Sequence, residues 1–339
     1  TPTFQLTNLW IGGTSAHDWF NAANWSRGLP NAVQRLVIPD TSSWVELSSP
    51  TQALTYRSLV ANQEFRLSGA NTWLTLNGGG SFSNLKMGAG TRLTVNGALS
   101  MNSDYSLGAG AKIDLGDETA LFIGGESYTQ IRDVHQLSAI RNDLYGRYAV
   151  IADFDASSVP NFMPIGMVDN YSLNFFTGIF DGLGHSISNL TINYPDAYRV
   201  ALFSGSYSNA TIRNIGLSNI SVTGNSDYTA GLVGSNYGTI SNSYVTGTVS
   251  GSYNVGGLVG YSNGTISNSY ASVTVSGSGN VGGLVGSNAA RVRDSYVADG
   301  SQISGQDGVG GLIGHNDIWG GRVAVSNSHY NIDAVDING

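Results

Sequence analysis

Residues 231–260 read GLVGSNYGTISNSYVTGTVSGSYNVGGLVG and so begin and end on the same tetrapeptide, Gly-Leu-Val-Gly. The tetrapeptide returns at 283–286 and, as Gly-Leu-Ile-Gly, at 311–314, which gives spacings of 26, 26 and 28 residues. A fixed period of this length predicts a stacked repeat architecture, in which each repeat buries its apolar side against its neighbours. We expect the repeat glycines to supply tight corners or positive φ. They are Gly231, Gly234, Gly257, Gly260, Gly283, Gly286, Gly311 and Gly314.

A second marker keeps the same period. Ile-Ser-Asn-Ser-Tyr occurs at 240–244 and 266–270, and Val-Arg-Asp-Ser-Tyr at 292–296. Two markers in phase, with weaker copies outside them, indicate that residues 185–330 form one array.

Parity within the second marker assigns directions to its side chains. Alternate residues of a strand point to the same face, so Asn242 and Tyr244 are predicted to point inward with Ile240. The tyrosines of this marker are therefore expected to have a structural role, and its Asn and Asp residues to stack as a ladder near a corner. The residues concerned are Asn242, Asn268 and Asp294 for the ladder, and Tyr244, Tyr270 and Tyr296 for the tyrosines.

The content of one period decides the fold. It holds three short β-like runs, at 255–259, 265–270 and 272–276, each bounded by Gly, Asn or Ser, and no crossover helix. Such a period is typical of one coil of a parallel β-solenoid, in which each coil pairs with the next. The predicted fold class is all-β, a right-handed parallel β-helix.

The first half of the chain has a shorter period. The segment 74–78, LTLNG, recurs as LTVNG at 93–97, and Gly-Ala-Gly at 88–90 recurs at 108–110. We therefore expect coils of about 20 residues between positions 50 and 125.

A helical pattern separates the two arrays. Ile131, Val134, Leu137 and Ile140 fall at helical spacing after Thr129, a candidate N-cap, so one short helix is predicted near 130–142. The predicted domains are a Trp-rich N-terminal cap or entry segment at 1–50, a short-coil β-solenoid at 51–128, a helix-containing connector at 129–184 and the 26-residue-coil array at 185–339.

These motifs carry a resemblance. The Gly-Leu-Val-Gly repeats and their Ile-x-Asn-x-Tyr partners resemble the GLUG repeat of large bacterial surface proteins. The run that includes Trp10, Trp19 and Asn24-Trp25 is similar to an element of filamentous-haemagglutinin-like adhesins exported by two-partner secretion. The resemblance implies a secreted protein of the bacterial cell surface or extracellular matrix. We expect the three tryptophans to pack around Asn24.

Composition excludes several partners. The formal net charge is −8 with only two lysines, Lys86 and Lys112, whereas nucleic acids and anionic membranes demand a basic patch. No apolar run approaches the roughly 18 residues of a membrane span. Gly supplies 46 positions and Cys none, so thiolate metal sites and cysteine nucleophiles are excluded. The sequence predicts no cofactor.

The acidic residues are candidate catalytic or metal-binding groups. Asp181 with His185 could form an acid–base pair, but a turn in which Asp181 accepts backbone N–H groups is the preferred interpretation. Asp153 and Asp155 lie on one side of a predicted strand and are weak calcium candidates. Further acidic positions are Asp169, Asp333 and Asp336. Without a second carboxylate or a nucleophile motif fixed beside them, the chain is predicted not to be an enzyme. A β-helix polysaccharide lyase or hydrolase is the less favoured alternative.

Carbohydrate binding is the preferred functional interpretation. Seventeen tyrosines on a weakly charged chain suit stacking against sugar rings, whose C–H faces are apolar. Tyr237, Tyr253 and Tyr261 lie at predicted turns beside Asn and Gly and are the candidate glycan contacts. The expected partners are a surface glycan, an exopolysaccharide or a host receptor, which would make the chain an adhesin module for cell, glycan or biofilm-matrix contact.

Two other functions remain open. A solenoid can serve as a rigid stalk, because each coil lengthens it by one strand spacing of about 4.8 Å. Alternatively, end-to-end self-association by strand addition would make the chain the subunit of an extracellular filament.

Overall fold

The computed structural model has two compact units, Thr1–Gln130 and Ile131–Gly339, which are described separately. The residues that it describes are 7–12, 18–40, 44–48, 53–117, 119–167, 174–225, 227–317 and 324–338. The four-segment domain scheme stays a prediction.

The first unit consists of strands and a short 3-10 helix at Ala22–Asn24. The strands are β1 Thr7–Leu9, β2 Arg35–Ile38, β3 Trp44–Ser48, β4 Ala53–Tyr56, β5 Ser58–Ser68, β6 Trp73–Leu76, β7 Gly80–Met87, β8 Arg92–Val95, β9 Leu99–Met101, β10 Ser106–Leu107, β11 Lys112–Leu115, β12 Leu121–Ile123 and β13 Glu126–Ser127. One sheet has the order β1-β2-β5-β7-β9-β12-β13, with β3 and β10 paired at its side, and the other has the order β11-β8-β6-β4.

The pairing in this unit follows the predicted short period. Leu74 pairs with Leu93 and Leu93 with Ile113, so successive coils are 19 and 20 residues long. All three side chains are fully buried. The described pairings are parallel except for the hairpin between β12 and β13 and an isolated bridge between Trp10 and Trp25. Coils of about 20 residues are thus present where the repeat predicts them.

The tryptophans of the first unit form a buried cluster. Trp10, Trp19 and Trp25 are each no more than 2% exposed, and Trp25 contacts the other two rings edge-on at 5.1 and 4.8 Å. Asn24 donates its side-chain amide to the carbonyl of Asp18 at 3.0 Å. The three rings pack on one another as expected, and their packing as a cap around Asn24 stays a prediction.

The chain contains one α-helix among its described residues, α1 at Val134–Ala139, and a 3-10 turn at Ile140–Asn142 continues it. The helix prediction is confirmed, but the N-cap is Asp133, whose carboxylate accepts the N–H groups of His135 and Gln136 at 2.8 Å. Thr129 instead begins a strand, β14 at Thr129–Ile131. Asp is among the strongest N-cap residues, which explains the later start.

The second unit contains the remaining strands. They are β15 Arg147–Val150, β16 Phe154–Asp155, β17 Ile179–Asp181, β18 Ser186–Ser188, β19 Thr191–Asn193, β20 Phe203–Ser206, β21 Thr211–Arg213, β22 Gly216–Thr223, β23 Asp227–Ala230, β24 Val233–Asn236, β25 Thr239–Ser241, β26 Tyr244–Ser250, β27 Tyr253–Gly256, β28 Val259–Ser262, β29 Thr265–Ser267, β30 Tyr270–Ser276, β31 Gly279–Gly282, β32 Val285–Asn288, β33 Arg291–Arg293, β34 Tyr296–Val297, β35 Gln302–Ser304, β36 Asp307–Gly310, β37 Ile313–Asn316, β38 Ala324–Ser326, β39 His329–Tyr330 and β40 Asp336–Ile337.

These strands form four parallel sheets, and each coil from β23 onward visits all four in turn. Sheet A has the order β15-β17-β21-β25-β29-β33-β38 and sheet B the order β16-β18-β22-β26-β30-β34-β39, with β19, β35 and β40 at its side. Sheet C is β23-β27-β31-β36, and sheet D is β20-β24-β28-β32-β37. Val233 pairs with Val259, Val259 with Val285 and Val285 with Ile313, so equivalent residues of the repeat lie directly above one another. The all-β parallel β-helix prediction is confirmed.

One period contains four strands rather than the three predicted. The apolar run at 255–259 is divided, because β27 ends at Gly256 and β28 starts at Val259. Between them Leu258 turns into the core and is fully buried. The apolar run therefore passes around a corner, with both flanks buried, and periodicity alone does not reveal the bend.

The repeat glycines act through close approach and not through positive φ, so that part of the expectation was wrong. None of the eight has positive φ. A Cβ on Gly257 would lie 2.2 Å from the carbonyl oxygen of Gly283 in the next coil, and one on Gly260 would lie 2.7 Å from that of Gly234. Glycine is required here because neighbouring backbones touch at the corner.

The second marker forms the corner between sheets A and B, and it reverses the predicted side-chain directions. Asn242, Asn268 and Asp294 have φ of 50°, 49° and 51°, in the left-handed region that Asn and Asp tolerate best. This residue interrupts the alternation, so Val245 is fully buried and Tyr244 lies on the outer surface, half-buried. The inward parity predicted for the tyrosines was wrong.

Serines and amides join the coils at this corner. The hydroxyl of Ser269 accepts the N–H of Ser243 at 3.2 Å and donates to the carbonyl of Ser267 at 2.8 Å. Asn242 donates its amide to Asn214 at 3.2 Å, and Asn327 donates to Asp294 at 2.6 Å. The predicted ladder thus has side-chain bonds at part of its length.

Within the described residues, no helix has the length and apolar character needed to span a membrane.

Candidate functional site

The outer surface of the second unit carries two groups of aromatic side chains. The first, here called the tyrosine ladder, is built from the tyrosine of the second marker in successive coils. Tyr244, Tyr270 and Tyr296 stack with ring centroids 5.0 Å apart and planes within 9° of parallel. His329 continues the stack at 5.9 Å. Tyr270 therefore has both ring faces covered by neighbouring rings.

The ladder geometry is suited to joining coils. Stacked neighbours occupy the ring faces on which a sugar would pack. Burial raises the pKa of Tyr270, and the hydroxyls of Tyr244 and Tyr296 raise it further. The tyrosine ladder is thus a structural element that joins successive coils.

The second group, here called the Arg199 patch, surrounds a single guanidinium. The Arg199 Cζ lies over three rings, 4.8 Å from Tyr198, 4.9 Å from Tyr228 and 5.3 Å from Phe175. Arg199 Nε donates to the Ser235 hydroxyl at 2.7 Å, and Ser235 is 1% exposed. Three cation–π contacts and one partly buried hydrogen bond therefore fix the orientation of the guanidinium.

Three more tyrosines extend the patch around this centre. Tyr207 contacts Phe175 at 5.1 Å with planes tilted by 51°, and Tyr237 contacts Tyr261 at 6.0 Å with planes tilted by 58°. Tyr261 also meets Tyr228 edge-on at 5.8 Å. Tyr207 is 54% exposed and Tyr237 is 37% exposed. Tyr237 also stacks on Phe175 at 6.1 Å with planes 26° apart, whereas the other ring pairs of the patch are tilted. Part of the Tyr207 and Tyr237 rings is thus exposed to solvent.

Successive coils bring these residues together. Tyr207 follows β20 and Tyr237 follows β24, which are adjacent strands of sheet D. Gly205 lies beneath Phe175, because a Cβ at this position would be 2.7 Å from the ring. Glycine on the sheet surface thus provides the space in which an aromatic ring lies flat on a strand.

Tyr228 occupies an unusual backbone conformation. Its φ is 60°, in a column of sheet C where the following coils place Asn254, Asn280 and Gly308, also with positive φ. Asn and Gly adopt this conformation readily, whereas for a bulky residue it is an outlier. Strained residues of this kind cluster at binding sites. Burial raises the pKa of Tyr228, and the hydroxyl of Tyr198 adds to the effect.

The structure brings together two of the three predicted glycan contacts. Tyr237 and Tyr261 touch one another within the Arg199 patch. Tyr253 is 53% exposed and lies over Gly279 of the next strand, and it makes no ring contact with the patch among the described residues. Glycan contact by all three stays a prediction.

Sequence reasoning missed the centre of the patch. Arg199, Tyr198 and Phe175 lie outside the clear repeat copies, and their contacts depend on the register of the coils. One signal was present in the sequence. Tyr228 stands where the next two copies have Asn, and a departure from a repeat on a surface position indicates a local role.

The acidic candidates have other partners. Asp181 accepts the N–H of Leu183 at 3.0 Å, as the turn interpretation predicts, and the guanidinium of Arg213 at 2.7 Å. His185 is fully buried with Nδ1 3.3 Å from Asp153. Asp169 lies outside the described residues, and Asp333 and Asp336 are exposed.

The described residues contain no group of three His, Cys, Asp or Glu side chains that could hold a metal ion. The calcium candidates Asp153 and Asp155 are therefore not part of such a group. Asp153 accepts the backbone N–H of Ser186 at 2.8 Å. Hydrogen bonds from Ser157 and from Asn189 lower the pKa of Asp155. The two carboxylates thus face different partners.

Comparison with known proteins finds the repeat and the fold. The GLUG motif matches residues 225–250 and 251–276. Over 152 residues, 41% of this chain, the sequence is 34% identical to halomucin from Haloquadratum walsbyi, of which it spans about 2% of the length.

A solved structure shares the fold. It is the crystal structure of a Bacteroides ovatus protein assigned as an immunoglobulin A1 protease, with a TM-score of 0.54 and 20% identity. The alignment covers 62% of this chain and 78% of that one. At this identity the match speaks for the β-helix architecture alone.

Proposed function

We propose that this chain is a non-enzymatic module of an extracellular surface protein and that it binds polysaccharide through the Arg199 patch. The observation that carries this function is the set of tilted, partly exposed aromatic rings around a fixed guanidinium. Tilted aromatic faces next to hydroxyl and guanidinium donors provide both apolar contact for sugar C–H groups and hydrogen bonds for sugar hydroxyls.

The extracellular location is supported by sequence. The GLUG motif occurs twice in the second unit, and the resemblance named above links this repeat to large surface proteins. The similarity to halomucin over 152 residues points the same way. Adhesion to a cell, a glycan or a biofilm matrix follows from a surface location combined with polysaccharide binding.

The non-enzymatic part of the proposal is supported by the partners of the acidic residues. Asp181 is engaged by Arg213 and by a backbone N–H, and His185 is buried against Asp153. Each of these groups has a structural role in the corner of sheets A and B.

The test compares two exposed tyrosines. We expect the full chain to bind polysaccharides on a glycan array, and Tyr237→Ala to weaken the best binder about tenfold by isothermal titration calorimetry, as the loss of one stacking contact predicts. Tyr145→Ala is the matched control, because Tyr145 is 79% exposed and makes no ring contact with the patch among the described residues. Equal affinity of both variants would refute the patch as the binding site, and absence of binding to every polysaccharide would refute the function.

A further inference from the structure

We infer that the polysaccharide bound by the Arg199 patch is acidic, and that a hexuronate carboxylate forms a bidentate ion pair with the guanidinium of Arg199. This inference rests on the proposed function and names the chemical class of its ligand. A neutral glycan would take only hydrogen bonds to its hydroxyls from Arg199, whereas an acidic glycan would also form an ion pair with it, so Arg199 is the residue that distinguishes the two classes.

The guanidinium is held in place with donors to spare. Arginine has five N–H donors, and only Nε of Arg199 is engaged, by the Ser235 hydroxyl at 2.7 Å. Within the described part of the chain, the terminal Nη groups of Arg199 have no hydrogen-bond partner. The planar fork of a guanidinium matches a carboxylate through two parallel hydrogen bonds, which a sugar hydroxyl cannot reproduce.

Other arginines of the chain have acidic partners, and Arg199 differs from them. Arg213 pairs with Asp181 at 2.7 Å, Arg66 with Glu64 at 2.5 Å, and Arg92 with Asp114. Among the described residues no carboxylate lies within ion-pair distance of Arg199. Its guanidinium lies over three aromatic rings instead. A cation held by aromatic faces retains most of its attraction for an anion, because the rings exclude water and carry no net charge.

The neighbourhood of the guanidinium also explains why the ligand is a sugar and not a small anion. Tyr207 and Tyr237 extend the patch away from Arg199 and are the most exposed of its rings. A chain of sugars can place one carboxylate on Arg199 while adjacent rings pack on these tyrosines. Asp227, next to Tyr228, lies at the edge of the patch and contributes to the raised pKa of that tyrosine.

The backbone conformation of Tyr228 is a second, independent observation. Its ring supports one side of the guanidinium at 4.9 Å, although φ of 60° is unfavourable for tyrosine. Later coils place Asn or Gly at this position and have no arginine above it. The strained tyrosine therefore occurs where it can orient Arg199.

The experiment measures binding of polygalacturonate and of neutral dextran to the full chain by calorimetry, with Arg199→Gln and Arg199→Lys as variants. We expect the wild type to prefer polygalacturonate. Arg199→Gln should weaken polygalacturonate binding about tenfold or more and weaken dextran binding much less, as loss of charge-assisted hydrogen bonds predicts. Arg199→Lys should recover only part of the affinity, because an ammonium lacks the fork.

Salt and a matched arginine complete the test. Raising NaCl from about 0.05 to 0.5 M should weaken wild-type binding to polygalacturonate and change Arg199→Gln much less. Arg291→Gln, at an exposed arginine of sheet A, should bind as the wild type does. If Arg199→Gln unfolds, the lysine variant and the salt dependence still decide the question.

The outcomes separate this inference from the function on which it rests. Equal binding of acidic and neutral polysaccharides, or tighter binding of dextran, would overturn the inference and leave the proposed function intact. Binding of dextran sulfate in place of polygalacturonate would overturn the assignment of a carboxylate. Absence of binding to any of these polymers would overturn both.

Discussion

The tyrosine ladder and the Arg199 patch lie on the same unit and use the same residue type, yet they differ in what the rings face. In the ladder, the same position of each coil carries an aromatic ring, so neighbouring rings cover one another at 5.0 Å. In the patch, rings come from different positions, and most ring pairs are tilted by between 51 and 79°. In a regular repeat the aromatic ring faces therefore pack on one another. In an irregular one, part of the ring surface stays available to a ligand.

A glycine lies against an aromatic ring in both groups. A Cβ on Gly216 would lie 2.2 Å from the ring of Tyr244, and one on Gly205 would lie 2.7 Å from that of Phe175. Gly216 lies one coil before Tyr244, whereas Gly205 lies one coil after Phe175. The ladder repeats its tyrosine in the coils that follow, and the patch does not repeat its phenylalanine.

The largest expected effect is on the ladder. Tyr270→Ala removes a half-buried ring that stacks on two neighbours, so we expect the free energy of unfolding of the chain to fall by about 2–3 kcal/mol. Polysaccharide affinity should not change. Urea denaturation followed by circular dichroism measures the first quantity and calorimetry the second. Tyr253→Ala, which removes an exposed ring, should stay within about 0.5 kcal/mol of the wild type. A ladder variant that lost affinity and kept its stability would reverse the comparison.

The second effect concerns Tyr228, and it tests the patch in the opposite direction. Tyr228→Asn introduces the residue found at this position in the next two coils. Relief of positive φ, about 1–2 kcal/mol, offsets the lost ring contacts, so the free energy of unfolding should change by less than about 1 kcal/mol. Polysaccharide affinity should fall about tenfold, because the ring that orients Arg199 is gone. A variant that is strongly destabilised, or that binds as the wild type does, would show that the strained tyrosine is not part of the site.

The repeat made most of the fold predictable from the sequence, but the direction of the ladder tyrosines and the contacts of Arg199 could not be predicted from it. The spacing of Gly231 and Gly257 gave the coil length, and the register places these residues one coil apart. The left-handed conformation of Asn242 could not be read from alternation, and it turned the tyrosines outward. Arg199 was missed for a different reason. Apart from the adjacent Tyr198, its partners are Phe175 from the coil before and Tyr228 and Ser235 from the coil after, so the contacts can be predicted only once the register of the coils is known.

The smallest expected effect is on the free energy of unfolding at alkaline pH, and it concerns the tyrosine ladder. Burial and the hydroxyls of Tyr244 and Tyr296 raise the pKa of Tyr270 above the ordinary value of 10.0. The folded chain thus holds this proton more tightly than the unfolded chain does. The resulting stability is fully present below pH 10 and is lost as pH rises through the raised pKa, since the unfolded chain ionises first. Tyr270→Phe keeps the stacked ring and removes the hydroxyl. Its free energy of unfolding should match the wild type at pH 7 and fall less steeply above pH 10. Denaturation at several pH values between about 7 and 11 measures these slopes. Parallel slopes for wild type and Tyr270→Phe would mean that the folded chain does not hold the Tyr270 proton more tightly than the unfolded chain does. The packing of the ladder would then not raise the pKa of Tyr270.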